Sequence, residues 1–208
     1  MLIVPYGPAR TEIRVVNSRF IASLEPVDSA EAARAFLARI RSEFPDASHH
    51  VPAYILGGGN SVTEYCSDDG EPSGTAGRPL LAVLKGSGLG DAAVVVTRYF
   101  GGTLLGTGGL VKAYSEAGRA VLALARRASL VETGRFELDL PYRLFDRFQV
   151  LAEELGAVVA ERSFGEDVRL AVDLPLSARG DFEAALTSLS SGAVKVRLES
   201  TRLARIPL

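Results

Sequence analysis

Three stretches of this chain gather side chains able to do chemistry. The first is C-S-D-D-G-E-P-S-G-T-A-G-R-P, Cys66 to Pro79, which sets Asp68, Asp69 and Glu71 among glycines and prolines. The second is the pair His49-His50, and the third is R-Y-F-G-G-T-L-L-G-T-G-G, Arg98 to Gly109. Carboxylates beside histidines could hold a cation, or act as acid and base in a hydrolysis. Glycines between a strand and a helix turn backbone N–H groups toward an anion, and an arginine at the strand exit can add a bidentate contact.

Spacing narrows these options. Adjacent residues on an extended segment point to opposite sides, so His49-His50 and Asp68-Asp69 each offer one ligand to a common point. D-D-G-E is not the alternating pattern of an EF-hand loop, and no H-x-x-x-H or C-x-x-C pair occurs. No metal and no cofactor is assigned. Cys66 with His49 or His50 would make a thiol–imidazole pair, but neighbouring acids raise a thiol's pKa, the wrong direction for a reactive thiolate. No G-x-S-x-G elbow surrounds any serine, the Walker A lysine is missing, and neither glycine cluster fits G-x-G-x-x-G. No catalytic residue is assigned either. The expected anion- or nucleic-acid-binding set is Arg98, Gly101, Gly102, Gly106, Gly108, Gly109 and Lys112, joined by Gly74, Thr75 and Gly77. The acidic loop with His50, Asp68, Asp69 and Glu71 forms its neighbour, its carboxylates expected to cap turns and the following helix and to hold Arg98 or a partner's basic group in place.

The elements that must position these residues read as follows. Thr11 to Leu24 alternates as a hairpin turning at Asn17-Ser18. A helix capped by Asp28 buries Ala33, Phe36, Leu37, Ile40 and Phe44 and stops at Pro45. Val51–Leu56 and Val62–Tyr65 are strands separated by Gly57-Gly58-Gly59-Asn60. A short helix covers Pro79 to Lys85, and the apolar run Ala92–Thr97 is a buried central strand. A longer helix follows from about Leu110 to Arg126. Of 21 glycines, 14 lie between Gly57 and Gly109, where backbone must come close to something.

From Gly134 the pattern changes. Phe136, Leu138 and Leu140 alternate, Leu144, Phe148, Leu151 and Leu155 recur at helical spacing, and Ala157–Ser163 reads as a strand. Val168 to Leu174 alternates, Phe182, Leu186 and Leu189 mark a helix, and Val194, Val196 and Leu198 a last strand. That β-α-β-β-α-β order is a ferredoxin-like plait. The expected fold class is α+β in two domains, 1–131 and 132–208, joined near Val131–Gly134.

The 208 residues are 47% hydrophobic and 23% charged, enough for a real core, with net charge −2. No basic tail advertises nucleic acid, so any such site is a local patch. On the open sheet face of the second domain, Arg135, Arg169, Lys195 and Arg197 balance Glu137, Asp139, Asp173 and Glu199, and stacking aromatics are missing, so that face is not an RNA platform. One cysteine fits a reducing compartment. The N-terminal apolar run is too short for a signal peptide, and none approaches the roughly 18 residues of a membrane span. A cytoplasmic protein is expected, with no membrane partner and an oligomeric state that is not legible.

Ser18-Arg19-Phe20, the His-His pair, S-D-D-G-E-P-S-G-T-A-G-R-P and V-V-V-T-R-Y-F-G-G-T-L-L-G-T-G-G-L-V-K-A-Y resemble the IMPACT/YigZ family. The resemblance covers about residues 18–126, and the second domain is similar to the C-terminal domain of the bacterial YigZ branch. It implies an N-terminal domain like a ribosomal protein's second domain and domain IV of elongation factor G, and a C-terminal plait like that factor's domain V. Eukaryotic relatives regulate translation by competing for an activator of the kinase that senses uncharged tRNA; they carry a different accessory domain, so that partner does not carry over. The motif positions include His50, Asp68 to Gly70, Glu71, Gly74 to Gly77, Arg98, Tyr99 and Gly101, and the family labels none of them catalytic. The expectation is a non-enzymatic translation-associated regulator, with RNA, the ribosome or a translation-related protein as partner. The alternative is a metal-assisted or acid–base hydrolase using Asp68, Asp69, Glu71 and His50.

Overall fold

The computed structural model describes residues 2–58 and 61–208. The chain divides into two compact units: one runs to Leu130 and takes in Arg205–Leu208, the other spans Val131–Ala204. Among the described residues no helix is long and apolar enough to cross a membrane.

The N-terminal unit is built on a five-stranded sheet. Its order is β2 (Ala9–Val15), β3 (Ser18–Pro26), β6 (Ala92–Tyr99), β4 (His49–Gly58) and β5 (Ser61–Cys66), with every neighbouring pair antiparallel. The run A-A-V-V-V-T does form the central strand, β6. It is buried on both faces because helices cover both. Ala93 and Val95 pack against Phe36 and Ile40 of α1 (Ala30–Glu43). Ala92, Val94 and Val96 pack against Leu80 and Leu84 of α2 (Gly77–Gly86) and Tyr114 and Ala117 of α3 (Gly106–Ala123). The period of two therefore places Arg98 on the α2/α3 face.

Several boundaries in this unit differ from the sequence reading. The cap of α1 is Ser29, not Asp28: its hydroxyl accepts from the Ala32 N–H at 3.1 Å. Helix α3 begins at Gly106 rather than Leu110, so Gly106, Gly108 and Gly109 form its first turn. Their low helix propensity yields to the packing of a long apolar face. A strand β1 (Leu2–Pro5) pairs with the start of β7 (Arg127–Leu140), which ends α3 short of Arg126. The Gly59-Asn60 part of the expected turn lies outside the described residues.

In the C-terminal unit β7 is followed by α4 (Phe145–Glu154), β8 (Val158–Phe164), β9 (Val168–Pro175), α5 (Arg179–Ser190) and β10 (Val196–Pro207). The sheet order β10-β7-β9-β8 is that of the ferredoxin-like plait. Phe136, Leu138 and Leu140 of β7 meet Phe148 of α4 and Phe182 and Leu186 of α5 in one core. Strand β10 runs nine residues past Leu198, and nearly all of that extension is exposed, so no apolar alternation announced it.

Candidate functional site

Arg98 sits at the end of β6, directly across from Phe20 on β3 and His49 on β4. Its guanidinium lies between the rings of Phe20 (5.5 Å) and Phe100 (5.6 Å). Nη1 donates to Glu71 Oε1 at 2.7 Å, and Nη2 donates to the Ser18 hydroxyl at 3.3 Å. The same Glu71 oxygen accepts from the Tyr114 hydroxyl on α3 at 2.7 Å. Burial, then the hydrogen bond to Glu71, push the Tyr114 phenol far above its ordinary value, so it stays a donor. Arg98 and Glu71 are 5% and 8% exposed. The pair is an internal clasp between sheet, loop and helix.

Each carboxylate of the acidic loop has its own task. Asp68 accepts from the backbone N–H groups of Gly74 (2.8 Å), Ala76 (3.1 Å) and Gly77 (2.8 Å). Burial acts to raise its pKa, but these three donors together outweigh it and hold the group below the ordinary carboxylate value. Gly77 permits this because any Cβ there would stand 2.7 Å from the Ser67 carbonyl. Asp69, at φ +47°, accepts from the His50 backbone N–H at 2.6 Å and pairs with Arg41 of α1. Its own carbonyl meets His49 Nδ1 at 2.8 Å, so that nitrogen carries the proton and Nε2 is left facing Glu71 Oε2 at 3.8 Å. The His50 imidazole points elsewhere, Nε2 to the Phe44 carbonyl at 3.0 Å, and burial lowers its pKa.

The structure therefore separates the residues that sequence spacing grouped. Asp68, Asp69, Glu71 and His50 do not converge on one point, and among the described residues no three His, Cys, Asp or Glu side chains gather as a metal would require. The N–H groups of Gly74 and Gly77, expected to hold an outside anion, hold the chain's own Asp68. Thr75 turns its hydroxyl to the Pro72 carbonyl at 2.6 Å. Arg98, expected to face an outside phosphate while the acidic loop holds it in place, is held by Glu71 of that loop. Burial first, and Asp68 second, raise the Cys66 thiol.

The second glycine cluster is different. Gly101 lies flat on the hairpin turn, where a Cβ would come 2.0 Å from the Asn17 carbonyl oxygen. Its N–H donates to Ser18 Oγ at 3.3 Å, and Asn17 reaches Thr103 at 3.3 Å. Beyond that anchor the backbone turns outward. Phe100 is 48% and Leu104 86% exposed, and Gly102, Thr103, Gly106, Thr107, Gly108 and Lys112 are exposed as well. Among the described residues no side chain caps the start of α3, and its first turn holds no acid. Gly109 is half-buried, the point where the helix turns inward to Leu110.

Sequence reasoning missed Ser18, His49 and Tyr114 as members of the clasp. Ser18 and Tyr114 stood inside recognised motifs, and Tyr114 lies four residues beyond Leu110 on the apolar face. A tyrosine buried there needs a partner for its hydroxyl, which was the available signal.

Fold and site together define a class: a two-unit α+β protein whose N-terminal sheet carries a carboxylate-pinned loop beside a glycine-rich helix start. Residues 16–122 match the model of the Impact N-terminal domain, and residues 138–193 that of a domain of unknown function, DUF1949. An IMPACT family member of Haemophilus influenzae is 39% identical over 94% of this chain and 96% of its own. The IMPACT family member YigZ of Escherichia coli is 36% identical over 93% and 96%. The crystal structure of a hypothetical protein, 37% identical, superposes with a TM-score of 0.62 over 96% of this chain and 97% of that one. The chain belongs to the IMPACT family.

Proposed function

We propose that this protein is a translation-associated regulator that acts by binding, with the Phe100–Lys112 surface taking RNA, free or within the ribosome. One observation carries the reading. The first turn of α3 opens to solvent uncapped and without an acid, beside an exposed aromatic ring and Lys112. N–H groups and the positive end of the helix attract phosphate, Lys112 adds a full charge, and the Phe100 ring offers a base a stacking face. Arg98 acts from beneath, its guanidinium fixing Phe100 while Glu71 fixes the guanidinium. Family membership supports the translation setting that the resemblance implies. The carboxylates and His50 of the hydrolase alternative are engaged by the fold, and that chemistry would have to dismantle the loop to free them.

The test is ribosome co-sedimentation together with anisotropy of a labelled single-stranded RNA, at rising KCl. Wild type is expected to bind in a salt-sensitive way. Lys112→Glu should weaken binding and reduce the salt slope by about 1, while Phe100→Ala weakens binding with little change in slope. A wild-type protein that binds neither target, or a double variant that binds as well as wild type, ends the proposal.

A further inference from the structure

Away from that surface, α2 and α3 leave a second feature. The helices touch where Gly118 stands, since a Cβ there would come 2.8 Å from Leu80 Cδ1 and 3.5 Å from Val83 Cγ1. Toward the C-terminal ends of both, Gly86 and Ala123 place almost no bulk between them. A trough of about 410 Å³ opens there, floored by Val83 and Leu122. Two arginines flank it, Arg119 from α3 and Arg127 from the start of β7, and no acidic residue lines it among the described residues.

The arginines are not consumed by the fold. Arg127 donates Nη2 to the Ser87 carbonyl at 3.0 Å, which answers one carbonyl at the end of α2 and leaves its other N–H groups open. Arg119 makes no hydrogen bond or ion pair among the described residues. Lys85, next to Gly86 on α2, is by contrast paired with Glu64 at 2.8 Å.

We infer that this trough is a docking site for an acidic, amphipathic segment of a partner protein, leucine-type side chains on the Val83–Leu122 floor and carboxylates on Arg119 and Arg127. The charge selects the occupant: two uncompensated guanidinia on one apolar floor suit a chain that alternates acid with aliphatic side chain. A nucleic-acid backbone would satisfy the arginines but leave the floor without a partner. The open, trough-like shape between two helices suits a third helix laid along it. This reading is independent of the RNA surface at the other end of α3.

The test uses the full chain and a stapled helix of roughly 15 residues with leucines on one face and flanking glutamates. Anisotropy measures affinity, and ¹⁵N amide shifts locate the site. Binding should perturb Val83, Gly86, Leu122 and Ala123. The double variant Arg119→Glu, Arg127→Glu should weaken binding at least about tenfold, because each like-charge contact costs affinity. Ala123→Trp should fill the trough and block the peptide without altering charge, which keeps the test valid if the charge reversal misfolds. Lys112→Glu should leave it unchanged. The proposal fails if a lysine-for-glutamate peptide binds equally, if the trough variants bind as wild type, if the shifts lie elsewhere, or if no binding occurs at millimolar peptide. It also fails if single-stranded RNA displaces the peptide from these amides, which would assign the trough to nucleic acid.

Discussion

Both units set arginine against carboxylate, and burial decides what each pair does. In the N-terminal unit the side chains of Arg98 and Glu71 are 6% and 3% exposed, enclosed by Phe20, Phe100 and Tyr114. In the C-terminal unit Arg135 meets Asp173, Arg169 meets Asp139 and Arg197 meets Glu137 across the polar face of the plait. There Arg169 and Asp139 are 72% and 60% exposed. Water screens such pairs, and holding two long side chains still offsets most of the attraction. They balance charge across a sheet face, as the mixed charges of its strands implied. The buried pair instead fixes geometry, because neither partner can be removed without stranding the other.

The largest expected effect follows from that contrast. Glu71→Ala leaves the Arg98 guanidinium buried without its carboxylate and also strips the acceptor from Tyr114. A loss of about 3–5 kcal/mol is expected by urea denaturation. Replacing the whole cluster, as in Arg98→Met with Glu71→Leu and Tyr114→Phe, should recover much of the loss, since well-packed apolar side chains can match a buried ion pair. A single variant costing less than about 1 kcal/mol would move this pair into the same class as the exposed ones.

The comparison also explains what was legible in the sequence. The plait could be read because Phe136–Leu140 and Val168–Leu174 alternate and both helices keep their spacing. The apolar run of β6 likewise announced a central strand. Exposed β10 beyond Leu198 carries no such alternation, and the glycines opening α3 read as loop because propensity ignores the Leu110–Tyr114–Val121 face that anchors them. At the site, the acidic loop and Arg98 stood out by residue type, but their partners did not. That the loop caps the following helix and holds Arg98 was legible, but spacing along a chain cannot say that Asp68 is the cap, that Glu71 is the carboxylate on Arg98, or that Glu71 also reaches Tyr114. These contacts span 27 and 43 residues for Glu71, and only the fold closes them. Residues that could have bound something outside were found bound to each other.

Asp68 stands between the two extremes, half-buried and served by backbone donors. Asp68→Ala should cost about 2 kcal/mol, the upper range for a lost helix cap, with the G-T-A-G turn gaining hydrogen exchange first. Its pH dependence has a definite sign. The folded group lies below its ordinary value of 3.8, so its stabilisation is complete above that pH and fades as pH falls toward the folded value. His50 acts in the same direction, because burial lowers it from 6.5 and the fold therefore weakens as pH drops below that point. Thermal melts from pH 7 to 3 should fall in two stages, and Asp68→Asn should flatten the lower one. A lower stage that survives Asp68→Asn unchanged would assign it to another carboxylate.

The smallest effect belongs to the exposed sheet face, and its size is the point. Arg169→Ala removes the Asp139 partner, where Nε and Oδ1 are 2.9 Å apart and both groups remain in water. Almost no stability should be lost, and that little should vanish at high salt. What the variant changes is charge: it leaves Asp139 unpaired and makes the face more acidic. RNA association should therefore be unaffected or slightly weaker, with the same salt slope, if the Phe100–Lys112 surface is where RNA binds. A stability loss comparable to Glu71→Ala would mean that burial is not what separates the two networks, and a fall of about 1 in the salt slope would bring the C-terminal sheet into the RNA contact.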